Sequence, residues 1–195
     1  MTRKESREKR ISDILDAAIP EFAEKGYEGA SMESIAARAG LTKGGLYYHV
    51  KSKDDILVMA NERFMEPTIR FMEKAMNATS AARGLAGYIR NYLTYWSMHP
   101  TELSFIFLTM TKTISDPNLR SLFRGYTGQM TAFFEGLYRK GVDSGEFRPV
   151  EVRSSALSLM GALDGIVGYL VVDDDLDLEN TIRKLSETFI PVDKE

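Results

Sequence analysis

The sequence predicts an all-α chain of about nine helices. Three observations carry that reading. Apolar residues recur at three- and four-residue steps along most of the 195 residues, no segment shows the two-residue alternation of a half-buried strand, and capping residues and prolines interrupt the apolar stripes at helix-length intervals. An apolar content of 44% suits a chain that folds around a core.

The first stripe, Ile11, Ile14, Leu15, Ala18, Phe22 and Ala23, predicts a helix stopped by Gly26, with Pro20 removing the donor to Asp16 and bending the last turn. Ser31 is placed to cap a short second helix whose Met32, Ile35, Ala36 and Ala39 face inward, and Gly40 ends it. Thr42 caps a third helix with Leu46 and Val50 as its apolar pair. Ser52, with Asp55 three residues later, predicts a capping box on a long fourth helix that runs to about Asn77. Pro67 should kink that helix, either as a bend around the core or as a hinge.

Further helices are expected from about Ala81 to Met98, about Glu102 to Thr113, Pro117 to near Ser144, about Val150 to Val171, and about Leu178 to Phe189. The stops are His99-Pro100, Gly145 and Pro191, and Asp116-Pro117 is a cap followed by a first-turn proline.

Several classes of function fall away on composition. The chain has no cysteine, which removes disulfides, thiolate metal sites and cysteine nucleophiles together. MTRKESREKR is charged, with no apolar run of a secretory signal behind it, so the cytoplasm is expected. The apolar stretch 155–172 is nearly long enough to cross a bilayer, but Asp164 in its midst favours a buried interface helix, and no membrane partner is expected. The two histidines, His49 and His99, sit in no nucleophile or acid–base motif, so no catalytic residue, metal or cofactor is expected; carboxylate catalysis stays open at this level. The acidic run from Asp173 to Glu179 lacks the glycine and spacing of a calcium loop and reads as a solvated connection with a helix cap.

Net charge is −3, unevenly spread: residues 1–53 hold ten Lys/Arg and eight Asp/Glu, and five basic residues against two acidic fall in the first ten. An anionic partner would meet the N-terminal end.

That end contains LTKGGLYYHV, residues 41–50. Helix, tight turn at Gly40 and helix is the spacing of a helix-turn-helix, whose second helix enters a DNA major groove. Gly44 and Gly45 near the start of that second helix each cost about 1 kcal/mol relative to alanine, and they leave its N-terminus bare for close approach to phosphates. Thr42, Lys43, Tyr47, Tyr48 and His49 add hydroxyls, a cation and polar rings, and Lys53 sits at the start of the next helix, where a cation opposes the helix dipole but suits a nearby anion.

Residues 14–57, ILDAAIPEFAEKGYEGASMESIAARAGLTKGGLYYHVKSKDDIL, resemble the DNA-binding domain of TetR-type transcriptional regulators. The resemblance implies a DNA-binding domain over residues 1–53 and a helical ligand-binding and dimerisation domain over 54–195. It also implies that Thr42, Lys43, Gly44, Tyr47, Tyr48, His49 and Lys53 touch operator DNA, mostly its phosphates, together with the cap Ser31. Val50 departs from the pattern, where phenylalanine is usual, and so does Pro20 within the first helix.

In the penultimate helix Ser154, Ser158, Gly161, Gly165 and Gly168 form a stripe of small residues that lets another helix approach closely. With the family in view, this stripe and Ile182, Leu185 and Phe189 of the last helix are expected at a homodimer interface; packing within one subunit is the alternative. The middle helices are rich in aromatic and flexible side chains, and Tyr92, Trp96, Phe105, Met110, Tyr126, Met130 and Phe133 are the expected pocket for an apolar or aromatic effector. The whole reads as a ligand-responsive transcriptional regulator, a repressor of a palindromic operator, and not an enzyme.

Overall fold

The computed structural model describes residues 3–192, without the side chains of residues 3–5, 115, 118 and 122. Arg3 and Lys4, two of the basic groups expected to gather at the N-terminal end, therefore have side chains outside the described residues. Nine helices and no strand are present among those residues: α1 (Arg3–Gly29), α2 (Met32–Arg38), α3 (Lys43–His49), α4 (Lys53–Met76), α5 (Ala81–Ser97), α6 (Pro100–Ser115), α7 (Pro117–Asp143), α8 (Val152–Val172) and α9 (Leu178–Phe189). The first helix begins well before its apolar stripe, because residues 3–10 are charged but helix-compatible, and α6 begins at Pro100, a residue suited to a first helical turn. Helix α4 continues through Pro67.

Two compact units result. One holds the residues up to 65 together with 104–120; the other holds 66–103 and the residues from 121 onward.

In the first unit the α1 stripe buries Ile14, Ala18 and Phe22, with Ile35 of α2, Leu46 of α3, and Ile56 and Leu57 of α4 equally buried. Each such aliphatic or aromatic side chain contributes about 1.5–3 kcal/mol of transfer free energy before entropy is counted. Phe105 of α6 belongs to this core, 5.8 Å from the Phe22 ring and 5.5 Å from Phe64. Asn61 ties α4 to α6 by donating to Thr109 Oγ1 at 2.8 Å. The chain reverses at Gly26 (φ 69) and Gly40 (φ 66), where an L side chain would be strained. Ser31 accepts from the Ser34 N–H, and Ser34 Oγ accepts from the Ser31 N–H, both at 3.0 Å, closing a capping box on α2. At α4, Ser52 accepts from the Asp55 N–H at 3.0 Å as expected, but the Asp55 carboxylate reaches the Lys51 N–H at 2.8 Å, one residue before the cap.

In the second unit α5 packs on α8 and α9. Tyr88, Ile89, Leu93 and Trp96 of α5, Phe134, Leu137 and Tyr138 of α7, and Leu159 and Leu163 of α8 are almost fully buried. The Glu146 carboxylate caps α5 by accepting from the N–H groups of Ala81 (2.8 Å) and Ala82 (3.1 Å). Burial opposes ionisation of Glu146, but hydrogen bonds from Ser80, Ala82 and Ala81 outweigh it and hold its pKa below the usual carboxylate value. Gly141 has to be glycine because a Cβ there would lie 2.1 Å from the Phe147 ring. In the acidic connection, Asp177 caps α9 by accepting from the Asn180 N–H at 3.0 Å.

Candidate functional site

Helices α2 and α3 are held on α1 by a charged clamp. Glu21 is buried, accepts from Lys25 at 2.5 Å and from Arg38 at 3.2 Å, while Arg38 also grips Glu24 with two bonds of 2.8 and 2.9 Å. The Lys25 ammonium first, then Ser34 and Arg38, hold the Glu21 carboxyl down to about 2. Only Leu46 of α3 is fully buried, and Val50 anchors its C-terminal end at 2% exposure.

Most of the rest of α3 turns away from that core, with Gly45 and His49 half-buried. Thr42 is exposed and its Oγ1 accepts from the Gly45 N–H at 3.1 Å, so the hydroxyl also fixes the first turn. Gly45 is required internally, since a Cβ would press on that Oγ1 at 3.2 Å. Gly44 is different: a Cβ there meets nothing within 4 Å, so the fold itself does not ask for glycine. Tyr47 is 45% and Tyr48 73% exposed, and the His49 ring stands edge-on to Tyr48 at 5.1 Å with its Nδ1 buried and unpartnered. Lys43 is exposed and ion-paired with Glu33 of α2, which raises its pKa. Ser31 is exposed beside these residues in sequence order at the start of α2.

Lys53 is placed otherwise. Its Nζ turns inward and donates to the carbonyls of Tyr27 (2.6 Å) and Ala30 (2.8 Å), capping the end of α1, and lies 4.3 Å from the centre of the Tyr27 ring. Lys112 of α6 covers the same ring at 3.9 Å, and the Tyr27 hydroxyl donates to Asp54. Burial, then the Asp54 carboxylate, push the Tyr27 pKa up. This knot is not legible in the sequence because its partners lie 23 to 85 residues apart.

An exposed polar helix, opened by an N-cap and glycines and presented by a glycine turn from a buried partner helix, is the geometry of a helix-turn-helix DNA reader. Residues 14–60 match the model of the tetR family of bacterial regulatory proteins. The chain belongs to the TetR family. It is similar over 193 residues, at 25% identity, to the fatty acid metabolism regulator protein of Bacillus subtilis, covering 93% of this chain and 95% of that protein. Its fold is similar to that of the transcriptional regulator FadR from Bacillus subtilis in complex with stearoyl-CoA, with a TM-score of 0.75 at 24% identity, covering 92% of this chain and 97% of the other. It is also similar to AibR in complex with isovaleryl coenzyme A and operator DNA, with a TM-score of 0.72 at 22% identity, covering 94% and 100%. Like other TetR-family regulators, the chain is a DNA-binding protein and not an enzyme.

The second unit of this TetR-family chain brings together five of the seven expected pocket residues. Tyr92 stacks on Tyr88 at 5.6 Å, Tyr88 lies 5.2 Å from Phe133 and donates towards Met130 Sδ at 4.0 Å, and Trp96 stands edge-on to Tyr92 at 6.3 Å. Tyr126 shares the electrostatic environment of Tyr88 and Tyr92. Phe105 and Met110 are not part of this cluster: both belong to the first unit, where Phe105 is core and Met110 is 37% exposed. The physical reason is that α6 turns its apolar side to α1 and α4, a choice its own periodicity does not reveal.

The cluster contains an acidic residue that the sequence reading had noted only as an obstacle to a membrane span. The Tyr92 hydroxyl donates to the Asp164 carboxylate at 3.5 Å, and desolvation raises the Asp164 pKa, with the Tyr92 hydrogen bond opposing. Asp164 also lines a groove of about 530 Å³ between α7 and α8, walled by Gly128 and Ala132 on one side and Met160 and Gly161 on the other, with Arg124 at its edge.

Within α8 the buried side is Ala156, Leu159, Leu163 and Val167, while Ser154, Ser158, Gly161 and Gly165 are exposed, beside Leu157 at 46% and Tyr169 at 56% exposure. Gly168 is half-buried. Helix α8 is thus covered on one face within the subunit. On α9 the residues expected at the interface lie largely inside the subunit. Ile182 and Leu185 are buried within the subunit at 2% and 9% exposure, where α9 packs on α5, and Phe189 is half-buried with its carbonyl accepting from the Tyr138 hydroxyl at 2.7 Å. The side of α9 that faces solvent is polar, with Arg183, Lys184 and Glu187 in ion pairs. Among the described residues no group of three or more His, Asp or Glu is arranged to hold a metal ion.

Proposed function

We propose that this TetR-family regulator is a homodimeric repressor whose α3 helices read a palindromic operator and whose release is driven by a small molecule with an apolar body. The observation that carries the proposal is Gly44: an open, glycine-bearing helix start that costs helix stability and that no neighbour within the subunit requires. Residues 1–53 would read DNA through Ser31, Thr42, Lys43, Gly44, Tyr47, Tyr48 and His49, and 54–195 would bind effector and partner subunit. Lys53 supports the reader from behind, by fixing the end of α1, with contact to phosphate as its second use.

Tyr92, Trp96, Tyr126, Met130 and Phe133 would surround the effector. A relative named for fatty acid metabolism and neighbours holding stearoyl-CoA and isovaleryl-CoA support an acyl chain as its apolar part. The exposed side of α8, with its small residues and the flanking Leu157 and Tyr169, supports a second copy as the covering partner. Two α3 helices on a dimer would then meet half-sites about 34 to 36 Å apart. A protein that reads chromosomal operators works in the cytoplasm.

Fragments of the source genome are selected on the purified protein at about 150 mM salt, where non-specific phosphate binding is weakened. Enrichment of one palindromic site is the expected result, and retention of no site above background defeats the regulator reading. Stearoyl-CoA added to the operator complex should lower operator affinity, because effector and operator must weaken each other equally. Unchanged affinity across acyl-CoA chain lengths rejects this effector class. Sedimentation at micromolar concentration should give twice 22.0 kDa, and Gly161→Arg should return the monomer mass.

A further inference from the structure

Two lysines from different helices share one aromatic ring. Lys53, the first residue of α4, has its Nζ 4.3 Å from the centre of the Tyr27 ring, and Lys112 of α6 has its Nζ 3.9 Å from the same centre. With Phe22 stacked on that ring at 5.7 Å, the two ammoniums crowd what is left of it, and like charges so close disfavour each other. Their other duties differ. Lys53 also donates to the carbonyls of Tyr27 and Ala30, just before the Ser31 cap of α2, whereas Lys112 also pairs with Glu28 at 3.4 Å. Lys112 is enclosed, with 24% of its side chain exposed, and its helix is fastened to the same core by Phe105 against Phe22 and Thr109 against Asn61. Lys53 stands three residues beyond the Val50 cap of α3, on a flexible four-carbon stem, at the start of a helix whose dipole favours an anion there.

From this arrangement we propose that Lys112 is a positioning residue for DNA binding: it holds the Tyr27 ring, so that Lys53 can leave the ring and pair with a backbone phosphate beside α3. The inference rests on the reading of residues 1–53 as the DNA reader and extends it to α6, outside the 14–60 stretch that matches the family model. In the free subunit both lysines share the surroundings of Tyr27 with the carboxylates of Asp54, Glu28 and Asp116. Withdrawing Lys53 to a phosphate relieves the repulsion between the two ammoniums and leaves Lys112 to balance those carboxylates, so the end of α1 keeps a cation throughout. The carbonyls of Tyr27 and Ala30 exchange the Lys53 donor for water. Without Lys112 the same withdrawal strips the ring of its cation, and Lys53 stays where it is. Lys112 thus acts on DNA without touching it.

Fluorescence anisotropy of a labelled, random-sequence DNA duplex, followed over a salt series with the full-length protein, counts phosphate contacts without needing the operator. Lys53→Ala should lower the slope of log affinity against log salt by about 0.9, the share of one phosphate. Lys112→Met, which keeps the stem and removes the charge, should lower it by the same amount although its own side chain meets no DNA. Lys112→Arg, which keeps a cation over the ring, should restore it. The double variant, Lys53→Ala with Lys112→Met, should match Lys53→Ala alone, because the two residues serve one contact. Thermal unfolding checks that each variant is folded, with Lys112→Gln as the substitute if methionine is not tolerated. A Lys112→Met slope equal to that of the unaltered protein overturns the inference. Slope losses that add in the double variant make Lys112 a phosphate contact in its own right, and an affinity loss without change of slope makes it a structural residue; either result also overturns it. If Lys53→Ala leaves the slope unchanged, Lys53 meets no phosphate and the inference falls with that contact, while enrichment of a palindromic site still tests the regulator by itself.

Discussion

Helix α3 and the aromatic cluster of α5, α7 and α8 both hold candidate binding residues, and they hold them in opposite ways. On α3 a single buried leucine, Leu46, with Val50 behind it, fixes the helix, and the polar and aromatic groups point out: Tyr48 is 73% exposed and Gly44 faces open space. In the cluster the same side chains do both jobs. Tyr88 and Trp96 are among the most buried residues of the second unit, Tyr92 is buried beside them, and these are also the residues that would line a pocket. A site laid over a fold can be altered without unfolding it; a site made from the core cannot. The difference teaches where mutagenesis will separate function from stability and where it will confuse them.

The largest expected effect lies in the cluster. Trp96→Ala should destabilise the protein by about 3–5 kcal/mol through the cavity it leaves, measured by denaturant unfolding. A loss below 1 kcal/mol would break the comparison, because the indole would then be spare to the fold. Lys53→Ala comes next, at about 1–2 kcal/mol, since it frees two carbonyls at the end of α1 from a charged donor. If stability is instead unchanged and the salt slope of DNA binding drops by about one, Lys53 is a phosphate contact like the α3 residues.

Gly44→Ala sharpens the contrast within α3 itself. It should gain up to about 1 kcal/mol of stability and lose operator affinity, because the new methyl stands where DNA must come close. Tyr48→Ala should leave stability within about 0.5 kcal/mol while weakening DNA binding. Equal operator affinity in both variants would remove α3 as the reading surface.

The smallest effect is that of pH on the clamp beneath α2. The Glu21 carboxyl is held to about 2 against an ordinary 4.5, so it contributes stability that is complete above about pH 4.5 and lost as pH falls towards 2. Melting temperature should decline across that window, and Glu21→Gln should flatten the decline. Asp164 has the opposite sign: its raised pKa favours the folded state at low pH, and that contribution is lost as pH rises through the folded value.

Much of the N-terminal half was legible because its signals are local. Ser31, Gly40 and Thr42 act within three or four residues of themselves, so capping chemistry and a left-handed turn are written in the sequence, and the helix-turn-helix follows from them. The alternation of apolar steps likewise determined the helices of the described residues and their class. The tertiary structure alone decided which of several apolar faces turns where. Phe105 joined the core of α1 and α4 and not the aromatic cluster, Ile182 and Leu185 turned into the subunit and not outward, and Lys53 was drawn to carbonyls 23 and 26 residues away. Asp164 acquired its partner from a helix 72 residues earlier. Hydrophobic burial is non-directional, so periodicity fixes that a helix has an inner face but not the neighbour that covers it, and the chemistry of a buried polar group depends on that neighbour.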